Sequence, residues 1–293
     1  MSGVWGRLDS PLTVAGAAQA LASDAVVIAG GTDAVPMRQA GLLAKAYVVD
    51  VLRIEEMRGS FVDAGHLSIG STTTMAAILA GGAQVRRHRA LVDGASVVGS
   101  RQTRNAATIG GNICRASPSG DTLAPLLACA GELSLASTRG SRSVAASDFF
   151  VGPGRTVCDD DELLLCVRLP LGAGASAYQR ITSRRWMDLA TVGVAVFIDT
   201  DLGDDAPRVR LAVSGAGPTP ILVPVPDEAL AGLSAQGLLV AVPILQQAAQ
   251  DAISPIDDVR GSAWYRRRMV NYLVERVTAS AIVRLSDEGD GSA

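Results

Sequence analysis

Short apolar runs alternate with glycine-containing turns through the first 170 residues of the chain. The segment 25–41, AVVIAGGTDAVPMRQAG, contains a short apolar run, a Gly-Gly turn and a helical stretch that ends at Gly41. This order of apolar residues and glycines predicts a buried strand, a turn and a helix in succession. The same reasoning predicts a strand and then a helix within 67–81, further strands at 46–51, 132–138, 140–147 and 161–170, and helices at 91–100 and 121–131.

The pattern changes after Pro170, where the apolar runs become longer and helices follow them. Long strands are predicted at 172–183 and 189–200, with one more strand in 208–223. Helices are predicted at 226–233, 237–252 and 262–283, and Pro243 is expected to break the second of them. The acidic segment 285–293 is expected to be disordered. These elements predict an α+β fold with successive units at 1–55, 56–172 and 173–284.

Composition and charge exclude several classes of protein. With 293 residues, 48% of them hydrophobic, the chain is long and apolar enough to form a sizeable core. No apolar run approaches the roughly 20 residues of a membrane helix, and the net charge of -3 argues against a nucleic-acid partner. The alanine-rich segment 11–22 resembles a signal peptide. However, Arg7 is the only basic residue before it, and the polar residues Thr13 and Gln19 interrupt it. We therefore expect a short amphipathic helix there and a cytoplasmic protein.

The cysteines and histidines do not suggest a metal centre. None of the four cysteines forms a C-x-x-C pair, and His66 and His88 are far apart in the sequence. Both histidines are expected to lie at the surface or to have hydrogen-bond partners. A G-x-S-x-G nucleophile motif is also absent. Any redox chemistry would therefore depend on an organic cofactor.

Two glycine pairs in similar settings are candidate phosphate sites. Gly30-Gly31 precedes Thr32-Asp33, and Gly110-Gly111 precedes Asn112. Adjacent glycines allow positive φ, so that backbone N–H groups can converge on an anion. Each pair taken alone is most often a simple turn. Neither segment matches G-x-G-x-x-G or G-x-x-x-x-G-K-[ST], which argues against a Rossmann site and a P-loop.

Asp121 follows the second glycine pair, at the end of the sequence SPSGD. A carboxylate repels phosphate but accepts hydrogen bonds from ribose hydroxyls or from an adenine amino group. The alternative is that Asp121 caps the helix that begins after it. From the residues alone, the interpretation is a nucleotide or phosphate binder.

Five segments occur in an order that is typical of one family. They are AGGTD, QTRNAATIGGNICRASPSGD, DELLLCVRLP, AYQRITSRRWMDLATVGVAV and SPIDDVRGSAWYRRRMV. This series resembles the FAD-binding medium subunit of the molybdenum hydroxylases, the family of xanthine dehydrogenase and carbon monoxide dehydrogenase. The resemblance extends from about residue 8 to residue 282. It implies a two-part FAD-binding domain of the vanillyl-alcohol-oxidase (PCMH) type, followed by a C-terminal α+β domain.

The resemblance also implies roles for individual residues around a non-covalent FAD. The first pyrophosphate cradle would be formed by Ala29, Gly30, Gly31, Thr32 and Asp33. The second would be formed by Thr108, Gly110, Gly111 and Asn112, with a further hydroxyl from Ser117. Asp121 would accept from the adenosine part, and Leu164 would contact the ring system. Arg180 stands where some relatives have a lysine near the flavin, and it keeps the charge but not the shape.

The function implied by the resemblance is electron transfer within a larger complex. Substrate would be oxidised on a molybdopterin large subunit, and electrons would pass through an iron–sulfur small subunit to FAD and then to NAD, a quinone or oxygen. No general acid or base is assigned on this chain. The alternative is a stand-alone flavoenzyme that acts on a small molecule. The basic segment 265–269, YRRRM, would be either a docking patch for an acidic partner or a solvated helix face.

Overall fold

A computed structural model of the chain describes residues 5–185, 187–201, 207–234 and 236–290. The N-terminal unit is a parallel sheet of three strands in the order β1-β3-β2. Its elements are β1 (Arg7–Asp9), α1 (Val14–Leu21), β2 (Val26–Ile28), α2 (Ala34–Gln39) and β3 (Tyr47–Asp50), followed by a 3-10 turn at Glu55–Met57. The helix predicted in 11–22 is confirmed, and Thr13 caps it by accepting from the Gly16 N–H at 3.2 Å. The edge strand β2 is half-buried, not buried as expected.

The second unit has an antiparallel sheet of five strands in the order β4-β5-β10-β6-β7, with helices packed against it. Its strands are β4 (Ser60–Asp63), β5 (His66–Gly70), β6 (Glu132–Ser137), β7 (Gly140–Ala145), the short pair β8 (Phe150–Gly152) and β9 (Arg155–Thr156), and β10 (Leu163–Pro170). Its helices are α3 (Met75–Leu79), α4 (Ala83–Arg87), α5 (Arg89–Val97), α6 (Arg101–Ala106), α7 (Ile109–Arg115), α8 (Leu123–Ala128) and α9 (Ala146–Phe149). Every residue of α8 is buried, which makes this helix the centre of the core.

The C-terminal unit is an antiparallel sheet of four strands, in sequence order, covered by two helices. Its elements are β11 (Gly174–Ile181), β12 (Val192–Asp199), β13 (Arg208–Ser214), β14 (Ile221–Val223), 3-10 turns at Asp227–Leu230 and Gln236–Leu239, α10 (Val242–Ala252) and α11 (Ala263–Asp290).

The central strand β12 explains the long apolar run in 189–200, because both of its faces are buried. Ala195 and Phe197 pack into the core of the second unit, where α8 lies. Val194 and Val196, which point to the opposite face, pack in the core beneath α10 and α11. The C-terminal sheet therefore joins the core of the second unit on one side and forms its own core on the other.

The helices and strands confirm the predicted α+β class, with several local differences. The helix predicted at 226–233 is only a 3-10 turn at Asp227–Leu230, and the strands β1 and β4 were not predicted. The segment 208–223 contains a second strand, β14, which pairs with β13. Pro243 lies in the first turn of α10 and begins that helix instead of breaking it, since an N-terminal proline gives up no helical hydrogen bond. The last helix reaches Asp290, so it includes part of the segment expected to be disordered; residues 291–293 lie outside the described residues. No described helix combines the length and apolarity that crossing a membrane requires.

Candidate functional site

The loop 29–33 between β2 and α2 provides free backbone donors. Gly31 has φ +68°, which favours glycine, and turns the chain toward α2. The N–H groups of Gly30, Gly31 and Thr32 donate to no acceptor among the described residues. All three residues are only half-buried, so these donors can reach an anion. The loop fits a phosphate group by this criterion.

Close packing brings this loop against the second glycine segment. A Cβ atom on Gly30 would lie 1.8 Å from the carbonyl oxygen of Ala106, so no side chain fits there. Asp33 at the end of the loop is exposed, and its carboxylate is 3.9 Å from Nε of Arg115 on α7. Loop 29–33 therefore lies beside the junction between α6 and α7 and near the last residue of α7, as a shared cofactor site would require.

The loop 108–112 uses its amides differently. Thr108 caps α7, and its hydroxyl accepts from the Gly111 N–H at 3.1 Å. The Gly110 N–H donates to the Ser71 carbonyl at 2.8 Å, and the Asn112 N–H donates to the Thr108 carbonyl at 3.0 Å. The expected nest of free amides is therefore not found here, because the glycine pair begins a helix. Available donors include the Asn112 side-chain nitrogen, which has no partner among the described residues, while its oxygen accepts from a neighbouring hydroxyl.

Asp121 lies in the buried contact between the second unit and β11. Its Oδ1 accepts from the Tyr178 hydroxyl at 2.9 Å, and its Oδ2 accepts from Nη1 of Arg180 at 2.6 Å. Burial raises the pKa of Asp121 to about 6, although the charge of Arg180 and both hydrogen bonds oppose this shift. Thr122, not Asp121, occupies the N-cap position of α8. Asp121 and Arg180, predicted separately, thus form one ion pair.

The remaining predicted residues, Ser117 and Leu164, lie in different surroundings. Ser117 is half-buried and opens a turn that the Gly120 N–H closes onto its carbonyl at 2.9 Å. Leu164 is 5% exposed and packs in the core of the second unit, beside a bulge in β10. Its predicted contact with a ring system stays a prediction.

Two residues near Asp121, Tyr178 and Gly193, were not singled out from the sequence as site residues. Tyr178 is buried, and a Cβ atom on Gly193 would lie 2.4 Å from the Tyr178 hydroxyl and 2.7 Å from Oγ of Ser214. A lone glycine inside a strongly apolar strand is a signal of such a close approach. Gly193 in β12 gave that signal, but the sequence did not show what would fill the space.

The expectation for His88 was wrong. It is 3% exposed, and neither of its ring nitrogens has a hydrogen-bond partner among the described residues. Burial, with a smaller effect of the Arg87 charge, lowers its pKa to about 4. His66 is half-buried, and its Nδ1 lies 3.0 Å from the Ala64 carbonyl. Among the described residues, no group of three or more His, Cys, Asp or Glu side chains is placed to hold a metal ion.

Comparison with known families accounts for nearly the whole chain. Residues 7–172 match the FAD binding domain in molybdopterin dehydrogenase, and residues 176–281 match the CO dehydrogenase flavoprotein C-terminal domain. The xanthine dehydrogenase FAD-binding subunit of Escherichia coli O157:H7 is 31% identical over 278 residues, which is 92% of this chain and 94% of that subunit. The carbon monoxide dehydrogenase medium chain of Hydrogenophaga pseudoflava is 29% identical over 269 residues, 90% of this chain and 91% of that one.

Solved structures agree with this assignment. A chain of carbon monoxide dehydrogenase from Hydrogenophaga pseudoflava superposes with a TM-score of 0.87 at 27% identity, covering 97% of this chain and 99% of that chain. The predicted order, an FAD-binding domain followed by a C-terminal α+β domain, is thereby confirmed.

Proposed function

The chain belongs to the FAD-binding medium subunits of the molybdenum hydroxylases, and we propose that it passes electrons from a partner's iron–sulfur clusters through FAD to an external acceptor. Membership makes it an FAD-binding subunit of an oxidoreductase of the xanthine and CO dehydrogenase type. The proposed partners are an iron–sulfur small subunit and a molybdopterin large subunit that selects the substrate. NAD, a quinone and oxygen are the candidate acceptors. The cytoplasmic location expected from the sequence stays a prediction.

The observation that carries this proposal is the free-amide loop 29–33 packed against the junction between α6 and α7. Its unpaired N–H groups would bind the pyrophosphate, helped by the side chains of Thr108, Asn112 and Ser117. Asp121 would accept from a hydroxyl of the cofactor with the lone pairs that Tyr178 and Arg180 leave free. Because Asp121 and Arg180 are in direct contact, both would face the same part of FAD, and not its two opposite ends.

When bound, FAD supplies the redox chemistry, and the protein contributes binding, orientation and electrostatics. Arg180 would contribute a largely buried positive charge, because its side chain is 10% exposed and forms an ion pair with Asp121. Tyr178 packs beneath this pair and, with the apolar side of β11 and β12, keeps water from it. Leu164 would contribute an apolar surface, as the resemblance implies.

Absorbance spectroscopy of the purified chain tests the first half of the proposal. We expect flavin bands that move completely into the supernatant after acid precipitation, which identifies non-covalent FAD. A chain without flavin that takes up no added FAD would contradict the site. The electron-transfer half is tested in the complex of three subunits, where substrate should bleach the flavin absorbance. Bleaching by a small molecule in the isolated chain would instead favour a stand-alone flavoenzyme.

A further inference from the structure

Arg266 in the basic segment 265–269 is neither a docking residue nor a solvated one. It is 3% exposed, although the residues on both sides of it are exposed. Its Nη1 donates to the carbonyl oxygens of Thr191 at 2.7 Å and Gly215 at 2.5 Å, and its Nη2 donates to Oδ1 of Asp258 at 2.6 Å. The interpretation of this segment as a surface patch was therefore wrong for Arg266.

One arm of this network reaches the loop 117–121 through the turn at Gly215. The N–H of Gly215 donates to the carbonyl of Pro118 at 2.7 Å. Gly215 has φ +76°, and a Cβ atom there would lie 2.6 Å from the Thr191 carbonyl oxygen. Arg266 bonds to the carbonyls of both Gly215 and Thr191, so it fixes this turn while the turn holds Pro118.

A second arm reaches the same loop through Asp258. Oδ1 of Asp258 accepts from the backbone N–H of Arg260 at 2.8 Å, and Nη1 of Arg260 lies 3.4 Å from Oγ of Ser119. Burial alone would raise the pKa of Asp258, but the bonds from Arg260 and Arg266 outweigh it and lower that pKa. Asp258 is therefore charged near neutral pH and holds both arginines.

We propose that Arg266 is a positioning residue of the FAD site, which fixes the loop 117–121 from the C-terminal unit. The proposal rests on the proposed function, because that loop carries Ser117 and Asp121. Arg266 serves four acceptors in different directions, the fourth being the Gly261 carbonyl at 3.5 Å from Nε, which suits the fixed, planar donors of a guanidinium. A lysine would keep the charge but could not hold the same four acceptors in one geometry. Holding the loop in place before FAD binds lowers the entropy cost of binding.

The test compares Arg266→Lys with Arg267→Lys in the full-length chain. Arg267 is a matched control, since it also donates to backbone carbonyls, those of Gln250 at 3.0 Å and Ile253 at 3.1 Å, but among the described residues it forms no hydrogen bond with loop 117–121 or with Gly215. We expect Arg266→Lys to raise the Kd for FAD about tenfold, equivalent to about 1.4 kcal/mol. Arg267→Lys should leave that Kd unchanged, even where both variants lower the melting temperature of the FAD-free protein.

Asp258→Asn supplies a second measurement if Arg266→Lys does not fold. The Asp258 side chain is 32% exposed, and its variant loses only the charge. We expect its Kd for FAD to rise about threefold, since one of the two arms is weakened. If the wild-type chain binds FAD and both variants keep its Kd, the positioning role is overturned. It is also overturned if Arg266→Lys does not fold and Asp258→Asn keeps the wild-type Kd. Failure of the wild-type chain to bind FAD would instead overturn the proposed function itself.

Discussion

The two Gly-Gly segments look alike in sequence but use their glycines for different physical reasons. In loop 29–33, Gly31 makes a left-handed turn, and three successive N–H groups have no acceptor within the described part of the chain. In loop 108–112, the glycines enter α7, and their N–H groups bond to Ser71 and Thr108. A repeated motif therefore does not imply a repeated anion site, and the first loop is the stronger candidate for phosphate.

The two carboxylates that follow these glycine pairs differ as well. The Asp33 side chain is 58% exposed and is 3.9 Å from its cationic neighbour. The Asp121 side chain is 7% exposed and is held by Arg180 and Tyr178. An exposed ion pair contributes little to stability, whereas a buried carboxylate depends on its partners. The comparison thus separates an exposed, weakly paired carboxylate from a buried carboxylate that the protein itself holds in place.

Gly30→Ala should give the largest effect on this comparison. The new Cβ would collide with the Ala106 carbonyl oxygen at 1.8 Å, which is rigid backbone, so the two loops must separate. About 3 kcal/mol of overpacking strain corresponds to about a hundredfold loss of FAD affinity. Fluorescence titration with FAD measures it. Gly82→Ala is the control, because nothing lies within 4 Å of its new Cβ, and an equal loss in both variants would contradict the cradle.

Gly110→Ala should act on stability, and Gly111→Ala is its matched partner. A Cβ at Gly110 would lie 2.6 Å from Cβ of Ser71 and 2.7 Å from its carbonyl oxygen. We expect a loss of about 1–3 kcal/mol in the free energy of unfolding. At Gly111 the only close atom is the Thr108 hydroxyl at 3.0 Å, and alanine favours the helix. Urea unfolding without FAD separates the two, and equal losses would refute the distinction.

The sequence predicted most of the strands and the central helix α8 because apolar periodicity and the spacing of glycines are local signals. It missed the strands β1, β4 and β14 and the short pair β8–β9. It did not predict which amides stay free, since that depends on Ser71, in the turn after β5, approaching Gly110. The same limit applies to Arg266, which has the same local sequence context as its exposed neighbours. Its burial follows from the turn at Gly215, far away along the chain. The ion pair of Asp121 with Arg180 likewise needs the contact between two units.

The pH dependence of stability should show the smallest of the three effects and should come from the buried Asp121. Burial raises the folded-state pKa of Asp121 from the usual 3.8 to about 6, so the folded protein binds this proton more tightly than the unfolded chain does. The contribution of Asp121 to the free energy of unfolding is therefore fully present below pH 3.8 and is lost as the pH rises through about 6.

Asp121→Asn removes this titration, so the free energy of unfolding should fall less steeply between pH 4 and 6 than in the wild-type protein. Urea unfolding at several pH values across this range gives the slopes of the wild-type protein and of Asp121→Asn. If Asp121→Asn keeps the wild-type slope, the Arg180 charge outweighs burial and the carboxylate stays ionised throughout.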